Sequence, residues 1–306
     1  MSHFCLLSAT DPEQDLALAE LRALAGVEGA GRVLCTPRAV NVERAAYVVA
    51  CAELLAAGPS PAALAEQLAT RGLAFERFRI TCVGVPPRPV MDGHAAIVEA
   101  ARYLGGSVDL EQPLTELLLV GSEAEWYLGR VVSRASKSYR QHDRKPYVFS
   151  SSLPARIARA MVNLVAAPGD TVIDPCCGVG SILLEAWSAG MRAVGADLNR
   201  KLVGMTQANL RHFGRPPWVC VADAAASWAR GDAVVTDFPY GRQSARPTGL
   251  YERLLAAFPS YAPRLAVVTA EDIEQPLAAS GYEVLRVVRV AKSEGFARCV
   301  HLAKVT

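Results

Sequence analysis

The sequence predicts an α/β protein: a mostly parallel, Rossmann-like sheet in the C-terminal half, preceded by a separate α+β region. Three observations carry this. First, short apolar runs at 172–173, 193–196, 218–221, 233–235 and 265–268 alternate with helical stretches, the pattern of parallel strands covered on both faces. Second, the last two runs, 282–291 and 297–305, are separated by too few residues for a crossover helix, so they form an antiparallel hairpin and complete seven strands. Third, the first half alternates strands and helices with weaker apolar runs and no internal repeat.

In that first half, 4–8 reads as a strand and 12–25 as an amphipathic helix entered at Asp11, with Leu16, Leu18, Leu21 and Leu24 on its apolar face. A short strand is expected over 31–35, and a helix, or a strand running into a helix, over 44–57. A second helix covers 61–70, with Ser60 as cap and Pro61 in its first position. The stretch 75–83 alternates as a strand and cannot continue through Val85-Pro86-Pro87-Arg88-Pro89. A helix over 92–103 is closed by Gly105-Gly106. Segments 114–120 and 125–132 form a hairpin around Gly121-Ser122-Glu123.

Composition narrows the function classes. The chain has 306 residues, 51% hydrophobic and 20% charged, enough for two packed domains and far from a disordered composition. No basic segment leads into an apolar N-terminal core, and no apolar run reaches the roughly 18–20 residues needed to span a bilayer. The eight cysteines include no Cys-x-x-Cys pair, which argues against a zinc ribbon and, with no visible leader, for reduced thiols in a cytoplasmic protein. No metal is expected. The net charge is only +2, but Arg130, Arg134, Lys137, Arg140, Arg144 and Lys145 cluster with only Asp143 opposing them. Such a segment can bind phosphates or can be a solvated linker.

The chemistry sits at strand ends. Thr171-Val172-Ile173-Asp174-Pro175-Cys176-Cys177-Gly178-Val179-Gly180-Ser181 ends a strand in an acid and a glycine turn that opens a helix. Gly-Lys-Ser/Thr is absent, which excludes a P-loop, and Leu183 occupies the place of the third glycine of a dinucleotide fingerprint. The next strand ends in Asp197-Leu198-Asn199, where a carboxylate can accept both hydroxyls of a ribose. The third ends in Asp223-Ala224, where an acid can take an adenine amino group. Three acids at three successive strand ends point to an adenosine-containing cofactor.

The fourth strand runs into Asp237-Phe238-Pro239-Tyr240. A planar exocyclic amine needs two acceptors to hold its hydrogens and aim its lone pair. The Asp237 carboxylate and the carbonyl of Phe238 can supply them, Pro239 fixes the turn, and Tyr240 offers a ring for stacking. The reaction is then an in-line displacement governed by positioning. A parallel sheet ending in an antiparallel hairpin is, moreover, the arrangement of class I methyltransferases.

At these residues the chain resembles the THUMP-containing tRNA guanosine-N2 methyltransferases, most densely from Tyr147 to Gly241. Asp174-Pro175-Cys176-Cys177-Gly178-Val179-Gly180 is similar to that family's Asp-Pro-Phe-Cys-Gly-Thr-Gly signature. Gln207-Ala208-Asn209-Leu210 resembles its asparagine-leucine helix end, and Asp237-Phe238-Pro239-Tyr240 its Asp-Pro-Pro-Tyr motif. The segment 149–164 resembles the one that helps cover the cofactor there. The resemblance implies S-adenosyl-L-methionine as cofactor and a guanosine N2 amine in tRNA as acceptor. The candidate cofactor contacts are Ser151, Leu153, Asp174, Cys177, Gly178, Gly180, Asp197, Leu198, Asp223 and Ala224; the candidate catalytic residues are Asp237, Phe238, Pro239 and Tyr240.

More loosely, Gly105–Pro113 and Trp126-Tyr127-Leu128-Gly129 resemble the end of a THUMP domain, which in that family grips the acceptor end of tRNA. This implies a ferredoxin-like module over 1–55, a THUMP-like domain over 56–134, a basic linker over 135–150 that contacts RNA, and a methyltransferase domain over 151–306. Phe238 departs from the family's first proline and is expected to soften the turn and add bulk at the pocket. Adenine N6, a protein glutamine, or a cofactor- and RNA-binding protein without turnover remain open as alternatives.

Overall fold

The computed structural model describes residues 2–86, 92–238, 249–293 and 296–306. In chain order these form β1 (His3–Leu7), a 3-10 turn (Asp11–Glu13), α1 (Gln14–Ala25), β2 (Val33–Thr36), β3 (Val48–Gly58), α2 (Pro61–Arg71), β4 (Ala74–Gly84), α3 (Gly93–Ala101), β5 (Gly105–Val108), β6 (Thr115–Gly121) and β7 (Trp126–Arg134). A 3-10 helix (Ser138–Arg144) follows, then α4 (Ala155–Val165), β8 (Thr171–Asp174), α5 (Ser181–Ser188), β9 (Arg192–Asp197), α6 (Arg200–His212), β10 (Val219–Val221) and β11 (Ala233–Asp237). The chain ends with α7 (Leu250–Ala257), β12 (Arg264–Thr269), α8 (Glu274–Ala279), β13 (Tyr282–Ser293) and β14 (Phe296–Val305). No helix among the described residues is long and apolar enough to cross a membrane.

The chain divides into two compact units. The first comprises residues up to Ser8, 27–43 and 48–135. It is one sheet in the order β2-β1-β3-β7-β6-β4-β5. Leu117 and Leu119 face α2 and α3, while Leu118 and Val120 lie on the opposite face with Phe4 and Ala52, as the two-residue period of a strand requires. Ser60 caps α2 as expected, its hydroxyl accepting from Ala63 N at 3.2 Å. Gly105 and Gly106 do not close α3 but pair in β5. Gly106 sits at φ +106°, and a Cβ there would lie 1.9 Å from the Phe75 carbonyl oxygen.

Two further expectations for this region change. Residues 48–58 are all strand, although Ala, Leu and Glu there favour helix; β1 pairs on one side and β7 on the other, so ladder bonds override propensity. The expected boundary at residue 55 therefore falls inside β3, and strands from both expected N-terminal modules share one sheet.

The second unit comprises residues 9–26, 44–47 and 136–306. Helix α1 thus packs with the C-terminal elements, against α4 and β13, rather than with the strands that flank it in sequence. It starts at Gln14, after the 3-10 turn that contains Asp11, so Asp11 is not its cap. A buried polar cluster accounts for the placement. Glu20 on α1 accepts from Ala46 N (2.8 Å), Tyr47 N (2.7 Å) and Asn163 Nδ2 on α4 (2.7 Å), while Arg44 donates to Asn163 Oδ1 (2.8 Å). A buried carboxylate is retained only with such a donor set.

The sheet of this unit has the order β10-β9-β8-β11-β12-β14-β13. Strands β8 to β12 are parallel, β14 runs antiparallel to β12, and β13 antiparallel to β14. The predicted seven-stranded sheet with its terminal hairpin is present. Strand order reverses between β8 and β11, so the loops after these strands lead to opposite sides and leave a crevice at their carboxyl ends, the place where open α/β sheets bind ligands.

The expected basic linker is not a free tether. Its 3-10 helix packs on α4 and α5: Tyr139 donates to Ala46 O, and His142 Nδ1 lies 2.6 Å from Glu185 Oε1, whose other oxygen accepts from Arg159 Nε at 2.8 Å.

Candidate cofactor and substrate site

The crevice at the β8–β11 reversal is lined by the strand ends singled out in the sequence. Asp174, the last residue of β8, is 1% exposed. Its Oδ1 accepts from Thr236 Oγ1 on β11 (2.8 Å) and from Cys176 N (3.3 Å). Burial pushes this carboxyl up to about 8 against those two hydrogen bonds, with a smaller contribution from the Asp237 charge. Burial thus favours the neutral form of Asp174, which shapes the turn from beneath.

The turn itself is left-handed at Gly178 (φ +53°) and Gly180 (φ +82°). Thr206 on α6 fills the space behind Gly180, where a Cβ would stand 2.7 Å from its methyl group. In front of Gly178 the corresponding Cβ position has no atom within 4 Å, so the backbone there lies open. Such a cradle, at the start of α5, admits close approach by a ligand. Cys177 is buried and donates its N–H to Ala196 O at 2.8 Å, which fastens the turn to β9.

Asp197 ends β9 and is bound to the turn: Oδ2 accepts from Gly178 N (3.0 Å) and Oδ1 from Asn199 N (2.8 Å). Burial raises its pKa, opposed by these bonds. Each oxygen keeps a lone pair for a hydroxyl. Leu198 beside it is 67% exposed, an apolar surface suited to a flat ring. Asp223, beyond β10, accepts from Ala225 N (2.9 Å) and Arg253 Nη1 (2.8 Å), and the Arg253 guanidinium holds it below the usual carboxylate range. Ala224 is buried, its carbonyl accepting from Tyr261 Oη. Leu153 is buried and Ser151 exposed in the segment before α4. The donor and acceptor set on β8, β9 and β10 fits an adenosylated amino acid.

Asp237 ends β11, where the strand pairs with β12, and Phe238 N donates to Val268 O at 3.0 Å. The Phe238 ring does not crowd the crevice as expected. It is 2% exposed and packs on Tyr251 (centroids 4.8 Å apart) and Phe258 (5.8 Å) in the core. Pro239 and Tyr240 lie outside the described residues.

The candidate RNA contacts separate. Arg130 pairs with Glu53 at 2.6 Å and Arg134 with Glu116 at 2.6 Å, both in the first unit. Lys137, Arg140 and Arg144 are exposed in the second unit. Lys145 departs from the expectation: it is 4% exposed, its Nζ near His142 O, and burial lowers its pKa, so its side chain is not at the surface for a polyanion to reach.

Three residues of the site escaped the sequence reading as functional. Thr236 orients Asp174, Arg253 holds Asp223, and Asn209 on α6 donates to Val179 O and Tyr147 O at 2.9 Å each. Asn209 carried the only signal, as part of the helix-end motif.

A comparison with protein families matches residues 142–301, more than half of the chain, to UPF0020, the RMKL-like methyltransferase domain. The tRNA (guanine(10)-N2)-dimethyltransferase of Methanothermobacter thermautotrophicus is 31% identical over 84% of this chain and 83% of its own length. The enzyme of the same name from Pyrococcus abyssi is 32% identical over 56% of this chain and 55% of its own length. Among solved structures, TrmN from Thermus thermophilus aligns over 99% of this chain and 100% of its own, with a TM-score of 0.51 at 20% identity, a likeness of fold. On the strength of the family match and of a relative similar along most of its length, this chain belongs to the RMKL-like methyltransferases, with the tRNA guanine-N2 enzymes among its relatives.

Proposed function

We propose that this protein is an S-adenosyl-L-methionine-dependent methyltransferase that methylates the N2 amine of a guanosine in tRNA, in the cytoplasm. The observation that carries the reading is the placement of Asp237 at the end of β11, one residue after Thr236, whose hydroxyl holds Asp174 at the root of the glycine turn. The acceptor carboxylate and the cofactor cradle thus share one hydrogen-bonded frame.

When bound, the cofactor supplies an electrophilic methyl group on a sulfonium. Asp197 accepts the ribose hydroxyls, Asp223 the adenine amino group, and the turn through Gly178 and Gly180, open at Gly178, receives the methionine part, flanked by Cys177, Ser151 and Leu153. Leu198 and Ala224 bound the adenine. Asp237 and the carbonyl of Phe238 accept the two N–H groups of the guanine amine and turn its lone pair toward the methyl donor. Burial of the Phe238 ring in the core supports this, because the residue then contributes its carbonyl without its bulk.

Lys137, Arg140 and Arg144 supply phosphate contacts, and the first unit serves as a THUMP-like surface for the tRNA. Nucleoside mass spectrometry of tRNA from a deletion strain tests the reading. Loss of N2-methylguanosine or N2,N2-dimethylguanosine is expected; loss of N6-methyladenosine instead, or an unchanged profile, overturns the substrate assignment.

A further inference from the structure

Helix α6 grips the glycine turn from behind with two side chains three residues apart, and therefore on one face. Thr206 Oγ1 donates to Gly178 O at 2.5 Å, and Asn209 Nδ2 donates to Val179 O at 2.9 Å. Asn209 also reaches a second segment. Its Nδ2 donates to Tyr147 O (2.9 Å) and its Oδ1 accepts from Tyr147 N (2.9 Å). One fully buried amide thus pairs with the peptide of Tyr147 as a neighbouring strand would, while holding the carbonyl between the two glycines.

The segment it holds has no ladder of its own. Residues 145–154 belong to no helix or strand, and the local bonds there are Phe149 N to Ser152 Oγ (3.1 Å) and Ser152 N to Phe149 O (2.9 Å). Tyr147, Val148 and Phe149 nevertheless stand 44%, 54% and 46% exposed, an unusual amount of apolar surface for three successive residues. The segment leaves the 3-10 helix at Lys145, whose N–H donates to His142 O at 3.4 Å, and enters α4 at Ala155; between these ends Asn209 holds the peptide of Tyr147.

We infer that Asn209 is a positioning residue that couples the 147–149 segment to the cofactor turn. A ligand that orders the glycine turn orders Tyr147–Phe149 through the shared amide, and a displaced segment loosens the turn. The inference rests on the proposed methyltransferase reading but concerns this chain's own residues, and its failure is separable from failure of that reading.

The test combines calorimetry with limited chymotrypsin digestion, because the protease cuts after Tyr147 and Phe149. In the wild-type protein S-adenosylhomocysteine is expected to slow these cuts. Asn209→Ala is expected to accelerate them without any ligand, to remove their ligand dependence, and to raise the ligand's Kd on the order of tenfold, since two buried carbonyls lose their donor. Asn209→Ser, which keeps a donor in a smaller side chain, serves where the alanine variant does not fold, and is expected to change both readouts in the same direction. Thr206→Val is expected to weaken binding while preserving ligand-dependent protection of 147–149. Variants at 209 that retain wild-type protection overturn the coupling. A wild-type protein that does not bind S-adenosylhomocysteine overturns the cofactor reading instead, and the ligand-free digestion rates still decide whether Asn209 holds the segment.

Discussion

Thr236 Oγ1 donates to Asp174 Oδ1 at 2.8 Å across the junction between β11 and β8. The two strands belong to opposite halves of the sheet, and the bonded residues are 62 positions apart in the chain; β8 ends in Asp174 and β11 in Asp237. This bond locks the strand end that bears Asp237, the proposed acceptor carboxylate, to the strand end that bears the glycine turn.

Asp237→Ala is expected to lower kcat for transfer to tRNA on the order of 10²–10³-fold, the usual cost of removing one pre-aimed polar group from a reacting centre. Cofactor affinity is expected to stay unchanged, because the proposed cofactor contacts lie at the ends of β8, β9 and β10 and in the segment before α4. Methyl transfer from labelled cofactor together with calorimetry checks both. Full retained activity would sink the assignment of Asp237.

Gly180→Ala is expected to destabilise the protein by about 1–3 kcal/mol, since the new Cβ meets the Thr206 methyl group at 2.7 Å in a left-handed backbone. Adding Thr206→Ser removes the methyl group and is expected to restore only part of the loss, because the backbone strain remains. Urea denaturation of the single and double variants measures the division.

Stability is also expected to depend on pH through Asp174. Its folded pKa, about 8, lies above the ordinary aspartate value of 3.8. Between those values the folded state holds a proton that the unfolded state has lost, so the contribution is fully present below about 4 and is lost as pH rises to about 8. Relative to Asp174→Asn, the wild-type protein should lose stability steadily over that window. Parallel curves for the two proteins would show that Asp174 does not titrate there.

His301 works in the opposite sense. It is fully buried on β14 and its Nε2 accepts from Ile273 N at 3.2 Å, and burial pulls its pKa below 6.5 despite the nearby Asp272. The unfolded state binds the proton first, so stability is intact above 6.5 and falls as pH drops below it. His301→Gln, which keeps a side-chain acceptor and does not titrate, is expected to lose less of its Tm than the wild-type protein between pH 7 and pH 5. An equal loss in both would exclude this histidine as a source of acid sensitivity.

Much of the catalytic unit was legible in the sequence because its signals are local. Continuous apolar runs announce strands buried on both faces, and a connection too short for a helix forces the terminal hairpin. Gly178, Gly180 and the acids Asp174, Asp197 and Asp223 follow directly from strand ends. Lys145 shows the limit of such reading: its charge is visible in the sequence and its burial is not. Phe238 shows another, since the direction of its ring depends on Tyr251 and Phe258 arriving from later in the chain.

By itself, then, the sequence determined the parallel sheet, its closing hairpin and the strand-end chemistry, each set by residues adjacent in the chain. Tertiary structure decided that 48–58 is strand, because β1 and β7 offer its backbone partners on both sides. It decided that α1 packs with α4, because the Glu20 carboxylate finds its donors at Ala46, Tyr47 and Asn163. It also placed Asn209 between the glycine turn and Tyr147. Hydrogen-bond satisfaction and burial are properties of groups that meet from distant parts of the chain, and no local pattern records which groups those will be.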